Sequence, residues 1–587
     1  MFPSRLHLVR SLSGFALLTL LATAARTQAP ELTLSGSLFG DSFGECVAEV
    51  GDMNGDGYRD IAVGSPHADT VVGFPGTLNP DVGRVSVFSG VTGEYIRGWS
   101  GSHAGALFGA AVADAGRIDN DNVPDILIGI PKASNVLGQE GSVRIYSGAT
   151  GALIRTHWGP QRFSRFGASI VGDADFDAEF RDDYAIGAPW FDVDDNVGGS
   201  NEEGAVFTFG GQDGDPITQH YGGPTLLPPN VPGIQNFEVD VRQLGTSLGE
   251  HLGHLAIGAP GSDLTDLDTA STTLDTGYVL VVQPGGGAPA SHAPMNAGAR
   301  AGAAVDMGWV VPGGDPEVAF GEPGTGVGGR VVVAQPATEF PFAWSPVSVV
   351  DGTADVPFGE VLALGLDADI DGLDDLVLGS PDSSLASPFG IPSAGAVRVH
   401  AAATGAYING FNGGSPFDRL GTSVALARVG PSLLGRVIAG APGFDAAAND
   451  VGAALVFPAI ECAAGVSTYG TGLAGTFGTP LLSFAFAPSM GVQNSVALSN
   501  TSGAPTTAWL FLGVAPASLP IKGGTLLVSP FKIISAPMNS SALVLHPTLP
   551  LDLSLCGVSF YLQGLVIDPG APLGVAFSKA LQFQPGF

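Results

Sequence analysis

The chain is poor in charge, poor in cysteine, and has no long apolar run beyond its first residues. Only 13% of its 587 residues are Asp, Glu, Lys or Arg, about half the share of an average soluble protein. Basic residues number 23 against 55 acidic ones, a formal net charge of −32. That deficit argues against a nucleic-acid partner, which needs basic surface to displace counterions. No stretch after the amino terminus is apolar enough over the roughly 20 residues that a bilayer crossing needs, so no transmembrane span is expected. Long helices are not expected either, because 44 prolines and 87 glycines interrupt the chain. Disorder does not fit a hydrophobic content of 45%. Many short strands joined by turns fit better.

Residues 1–29 read as a secretory leader: Arg5 and Arg10, then the apolar run Gly14–Ala25, then a small-residue cleavage site at Ala22-Thr23-Ala24 or Thr27-Gln28-Ala29. A soluble protein exported to the cell envelope, the cell surface or the medium is the expectation. Three cysteines are few for an oxidising compartment. Cys462 and Cys556 flank the last segment and are candidates for a bridge, although sequence alone does not decide the pairing. Cys46 stands where other repeats place Ala111, Ser169 and Val361, and reads as a small buried residue.

Internal repetition dominates the chain beyond the leader. A tag, apolar-Gly-x-Pro, occurs seven times, with its glycine at Gly64, Gly129, Gly187, Gly258, Gly321, Gly379 and Gly440, at intervals of 58 to 71 residues. Upstream of most tags lies a Phe-Gly or its relic: Phe43-Gly44, Phe108-Gly109, Phe166-Gly167, Phe358-Gly359 and Leu420-Gly421. Each copy reads as four short strands separated by turn residues, the pattern of a propeller blade. The seventh copy stops after its third strand near Pro458, and the mature chain opens with an unpartnered strand, Glu31–Ser35. If that strand completes the last blade, the ring closes and leaves no open edge. The expected fold is all-β: a seven-bladed β-propeller over 30–459 closed by the N-terminal strand, then a C-terminal β-sandwich over 460–587.

The loop between the first two strands of each copy carries the chemistry. In the first copy it has Asp52, Asn54, Asp56 and Asp60 at positions 1, 3, 5 and 9, and Tyr58 at position 7 would offer its backbone carbonyl. Oxygen ligands at that spacing, with glycines permitting a tight turn, suit a hard cation such as Ca²⁺. The sixth copy repeats the set with Asp367, Asp369, Asp371, Asp375 and Leu373 at position 7; the third has Asp175, Asp177, Glu179, Asp183 and Arg181. The second keeps Asp119, Asp121 and Asp125, but Arg117 replaces its first ligand. His254, Glu317 and Arg436 occupy the ninth position of copies four, five and seven, which are expected to be metal-free. An EF-hand is excluded because position 12 of the first loop is Val63, inside a strand, where that motif needs a bidentate Glu.

Phe-Gly, then Asp-x-[Asp/Asn]-x-Asp-Gly-x-x-Asp, then a strand ending Gly-[Ser/Ala]-Pro, resembles the FG-GAP repeats of the integrin α-subunit β-propeller. The resemblance covers roughly residues 31–460. It implies seven blades, Ca²⁺ in loops on one face, and a protein or glycan ligand on the opposite face. The complete loops here are in copies one, three and six, whereas integrins cluster them in later blades, and no repeat interval leaves room for an inserted adhesion domain. The last segment is more weakly similar, through Tyr469-Gly470-Thr471-Gly472 and Phe560-Tyr561-Leu562-Gln563, to carboxy-terminal domains of exported proteins of planctomycete-like bacteria.

Catalytic signals are sparse. Gly-x-Ser-x-Gly at Gly40–Gly44 and Gly245–Gly249 lacks the strand-to-helix elbow that a hydrolase nucleophile needs. Gly-x-Gly-x-x-Gly at Gly324–Gly329 and Gly470–Gly475 lacks a following helix. His251 and His254 read as exposed turn residues. The leading expectation is a non-enzymatic Ca²⁺-binding propeller that binds an extracellular protein or glycan in adhesion or envelope organisation. The alternatives are a polysaccharide hydrolase or lyase with its site in the central channel, or a structural spacer. The first would need acids or histidines converging on the inner strands, which read as small and apolar at Ala110–Ala113, Ala168–Val171 and Val361–Leu364.

Overall fold

The computed structural model describes residues 30–585 except 37–39, 73–76, 120, 180, 194–201, 227–236, 268, 338–343, 369–370, 385–390, 430–434, 446–450, 460–464, 487, 490–492, 550–557 and 572. The leader, Cys462, Cys556 and Asp369 lie outside the described residues. The described chain is all-β, its one helical element a 3₁₀ turn at Pro284–Gly286.

Antiparallel four-stranded sheets recur along the repeats, as in a propeller. In the first repeat, Cys46–Val50, Asp60–Ser65, Arg84–Phe88 and Tyr95–Ser100 pair in chain order. The second strand is buried along its whole length in most repeats, as in Asp60–Ser65, Asp125–Ile130 and Asp375–Ser380. These are continuous apolar runs because both faces are covered by neighbouring sheets. The first strands pack side by side in repeat order, Cys46–Val50 against Ala111–Gly116 and so on to Val424–Ala427, which returns to Cys46–Val50. The last sheet takes its fourth strand from the other end of the chain: Leu32–Ser35 pairs with Ala453–Pro458, Leu32 opposite Val456.

The tag and the Phe-Gly are two halves of one contact. Gly109 N donates to Gly129 O of its own sheet at 3.0 Å. A Cβ on Gly64, the tag glycine of the preceding sheet, would lie 2.2 Å from Gly109 O. The same approach joins Gly129 to Gly167, Gly379 to Gly421 and, across the closure, Gly440 to Gly44. Any side chain there would push adjacent sheets apart. The aromatic member pairs as an isolated parallel bridge with a glycine of the sheet before it: Gly83 with Phe108, Gly141 with Phe166, and Gly452 with Phe43.

An eighth four-stranded sheet is built from Gly223–Leu226, Phe237–Val241, Asp263–Asp266 and Ser271–Thr273. These segments lie in the connections before and inside the fourth repeat, on the side of the Gly-x-Pro tags. The repeat pattern alone leaves them as loops.

In the carboxy-terminal segment, a six-stranded sheet and a three-stranded sheet share one core, with Leu482, Leu498 and Leu543 packed against Leu510, Val566 and Phe583. Gln563 is fully buried; its amide accepts from Leu527 N at 2.7 Å and donates to Thr525 O and Ser578 O. Tyr469 Oη donates to Leu527 O at 2.6 Å. Both motif residues thus anchor the long hairpin Thr506–Ile521/Gly524–Met538.

Candidate metal loops and the channel mouth

Each acidic loop is pinned at its base by the ninth residue. Asp60 is fully buried; its Oδ2 accepts from Met53 N at 2.8 Å, and its Oδ1 accepts from Gly90 N, in the turn between strands three and four, at 3.3 Å. Asp125 repeats this with Ile118 N at 2.8 Å and Gly148 N at 3.0 Å. Asp183 does so with Phe176 N at 3.0 Å and Gly211 N at 3.1 Å, and Asp375 accepts from Ala368 N at 2.8 Å. Glu317, in a loop without the other ligands, accepts from Val310 N at 2.9 Å and Val311 N at 3.1 Å. The ninth acid is therefore structural as well as a candidate ligand, a role that sequence analysis missed. Its signal was an acid immediately before the apolar second strand in five repeats.

Around that pin the other acids turn inward. Asp52 Oδ1 accepts from Gly55 N at 2.6 Å and its Oδ2 from Gly57 N at 2.7 Å. Asn54 Oδ1 accepts from Asp56 N at 2.7 Å, and Asp56 Oδ1 from Tyr58 N at 2.9 Å. Gly55 and Gly57 have φ of 78° and 90°, which their residue type permits. The sixth loop copies the pattern: Asp367 Oδ1 accepts from Asp371 N and its Oδ2 from Gly372 N, while Asp371 Oδ1 accepts from Leu373 N. In the third loop Glu179 N donates to both Asp175 and Asp177, each at 3.0 Å. Arg181 Nη1 donates to Gln212 Oε1. In the second, Asp121 N donates to Asp119 Oδ1 and Val123 N to Asp121 Oδ1.

The donor set fits a hard cation. Asp175, Asp177 and Asp183 each bring an oxygen to within 4.8 Å of the others. Burial, together with repulsion from neighbouring loop acids, pushes the carboxyls of Asp60, Asp125 and Asp183 up to about 6 despite their backbone hydrogen bonds. Negative charge is thus concentrated where a divalent ion would neutralise it.

The eighth loop position joins neighbouring sheets. Asp182 accepts from Arg117 N of the preceding repeat at 2.7 Å, and Asp374 from Trp309 N at 2.6 Å. Arg59 spans three repeats, lying 3.3 Å from Glu49, 2.8 Å from Asp114 and 3.9 Å from Asp173.

Those acids correct the expectation of apolar inner strands. The channel, a cavity of about 480 Å³, is lined by Val47, Val112, Val171, Leu248 and their equivalents, but also by Glu49, Asp114, Glu250 and Asp306. Asp114 directly follows the apolar stretch Ala110–Ala113, toward the end where the strand enters the acidic loop. Burial raises Asp114 and Asp306 to about 7 and Glu250 to about 8, with repulsion among the acids adding to it. His251 and His254 are also corrected: they are half-buried and face each other as the last pair of a hairpin. Cys46 is partly buried, and burial lifts its thiol to about 11, as suits a packing residue.

Residues 48–88 match the family model of the FG-GAP repeat, so the chain carries at least one such repeat. It is similar to integrin alpha-5 of Xenopus laevis, 32% identical over 191 residues, which is 31% of this chain and 16% of that protein. Integrin alpha-V of Gallus gallus is 28% identical over 185 residues, 30% of this chain and 16% of the integrin. Integrin alpha-4 of Xenopus laevis is 33% identical over 165 residues, covering 26% and 15%. The chain therefore spans about a sixth of the length of these relatives. Among the described residues no helix is long and apolar enough to cross a membrane.

Proposed function

We propose that residues 30–459 form a seven-bladed FG-GAP propeller, exported and calcium-loaded, that binds an extracellular protein or glycan without chemically changing it. Residues 460–587 would form an appended β-sandwich. Ca²⁺ would occupy the loops of repeats one, three and six, held by their acids and by the carbonyl at position seven; repeat two, with Arg117 at its first position, offers a reduced set. The observation that carries this reading is the convergence of Asp175, Asp177 and Asp183 on one point in a loop pinned at its base. The ligand surface would be the tag side of the ring, opposite the loops, where the eighth sheet adds area. Screening the purified chain against glycan and matrix-protein arrays, with calcium and with EGTA, tests it. Calcium-dependent capture of one ligand class supports the proposal; titration calorimetry showing no calcium binding would remove its basis.

A second reading has one observation in its favour. Acids from several repeats meet in the channel, as a hydrolase or lyase would require. Two of them, Glu49 and Asp114, are tied to Arg59 together with Asp173, the arrangement of a structural ion cluster. Polysaccharide turnover that is lost in Glu250→Gln would favour the enzyme; binding unaffected by that change favours the first reading.

A further inference from the structure

The strand Gly524–Met538 is the outer edge of the six-stranded sheet: among the described residues its one strand partner is Thr506–Ile521, and the side-chain bonds from Tyr469 and Gln563 reach it at Thr525 and Leu527, away from Phe531–Ser535. From Phe531 to Ser535 its side chains are exposed on both faces, Phe531 by 62%, Ile533 by 50% and Ile534 by 38%. Trp509, opposite Ser535 on the neighbouring strand, is 41% exposed and continues the strip. A free edge of this kind presents a row of backbone donors and acceptors, which another strand satisfies. A membrane does not, because open sheet edges are not tolerated in hydrocarbon.

We propose that this edge pairs antiparallel with the same strand of a second copy, making a twofold dimer. A twofold axis perpendicular to the sheet places residues of equal parity opposite each other. Centred on Ile533, it sets Phe531 against Ser535 of the second copy and keeps Lys532 from facing itself. Phe531 of one copy then lies in the same row as Trp509 of the other. Charge selects this patch. Lys532 is the one charged residue of Gly524–Met538, so two copies of a strongly acidic chain meet here with no acid on either edge. The four apolar side chains expose roughly 350 Å² per copy, or about 700 Å² in the pair. Adding two backbone edges brings this toward the ~1,000 Å² of a specific interface. Twofold closure also stops the pairing at two copies, and the flanking prolines limit its length.

Sedimentation equilibrium of the full mature chain over micromolar concentrations tests the proposal. A dimer is expected, with Ile533→Lys shifted at least tenfold toward monomer and Val327→Lys, a substitution at an exposed apolar site in the repeats, leaving it intact. Unchanged melting of Ile533→Lys shows that the fold survives. Oxidised Ile533→Cys should form a covalent dimer, whereas Ser529→Cys should not. A monomer throughout, or a dimer indifferent to Ile533→Lys, overturns the proposal.

Discussion

One carboxylate per loop does two jobs, and they separate by mutation. Asp60 takes buried backbone N–H groups from two turns, so removing it leaves donors unsatisfied whether or not an ion is present. Asp60→Ala should cost about 2–3 kcal/mol in urea unfolding with calcium chelated. Glu317→Ala should behave alike and show no calcium dependence. Asp52→Asn, whose partners lie in exposed backbone, should instead erase most of the calcium-induced stabilisation and leave the chelated protein little changed. Equal effects of Asp60→Ala and Asp52→Asn would show that the base pin is not an independent element. The candidate ligands were legible residue by residue because ligation demands oxygen at set spacing. The pin was not, since an acid that holds a turn and an acid that holds a metal are the same letter.

Between elements, strand four of one sheet reaches the strand three–four turn of the next. Arg97 donates to Ser147 O at 3.3 Å and Ala149 O at 2.9 Å; Arg155 donates to Gly211 O at 2.9 Å and Gln212 O at 3.0 Å. Trp99 Nε1 adds a bond to Gly151 O at 2.9 Å. Each arginine adds bonds to turn carbonyls of the next sheet, of which Ser147 O also accepts from Gly151 N, so Arg97→Ala and Arg155→Ala should each cost about 1–2 kcal/mol. Because they share no partner, the double variant should equal their sum. A large coupling energy would mean that the sheets communicate through the ring. At this scale sequence analysis located the strands, whose periodicity is local. It missed the eighth sheet, because strands of unequal loops pair only after the repeats have brought them together. Loop protonation belongs here too. With Asp60, Asp125 and Asp183 raised to about 6, calcium must displace protons below that pH. Calcium affinity by calorimetry should therefore drop as pH falls from 7 to 5, and a flat profile would refute the raised values.

For the whole molecule, closure and charge decide stability. Leu32–Ser35 completes the last sheet, Ser423 Oγ donates to Gly44 O at 2.9 Å, and Arg428 N donates to Glu49 Oε1 at 2.8 Å. Deleting residues 30–36 exposes the edge of Ala453–Pro458 and should lower the melting temperature by more than about 5 °C and promote aggregation. The channel acids set a pH trend of definite sign. Asp114, Asp306 and Glu250 have folded values above their unfolded ones, so the folded state holds protons that the unfolded state releases. Their contribution is complete below about pH 4 and is lost as pH rises through 7 to 8. With calcium chelated, thermal stability should fall from pH 5.5 to pH 8, and Asp306→Asn should flatten that slope. A rise instead would mean that these groups are not buried as described.

The tag, the Phe-Gly and the nine-residue loops are consequences of local chemistry: glycine where backbones touch, aromatic where a bridge must be covered, oxygen where charge gathers. Such features repeat in the chain, so the sequence by itself determined that four-stranded units recur and which loops could hold a cation. It did not show that Arg59 sits among acids of three repeats, that Glu250 and Asp306 share one channel, or that the edge Phe531–Ala536 is left uncovered. Those depend on distances between residues far apart in the chain, and only the packed ring and the finished sheet bring them close or leave them bare.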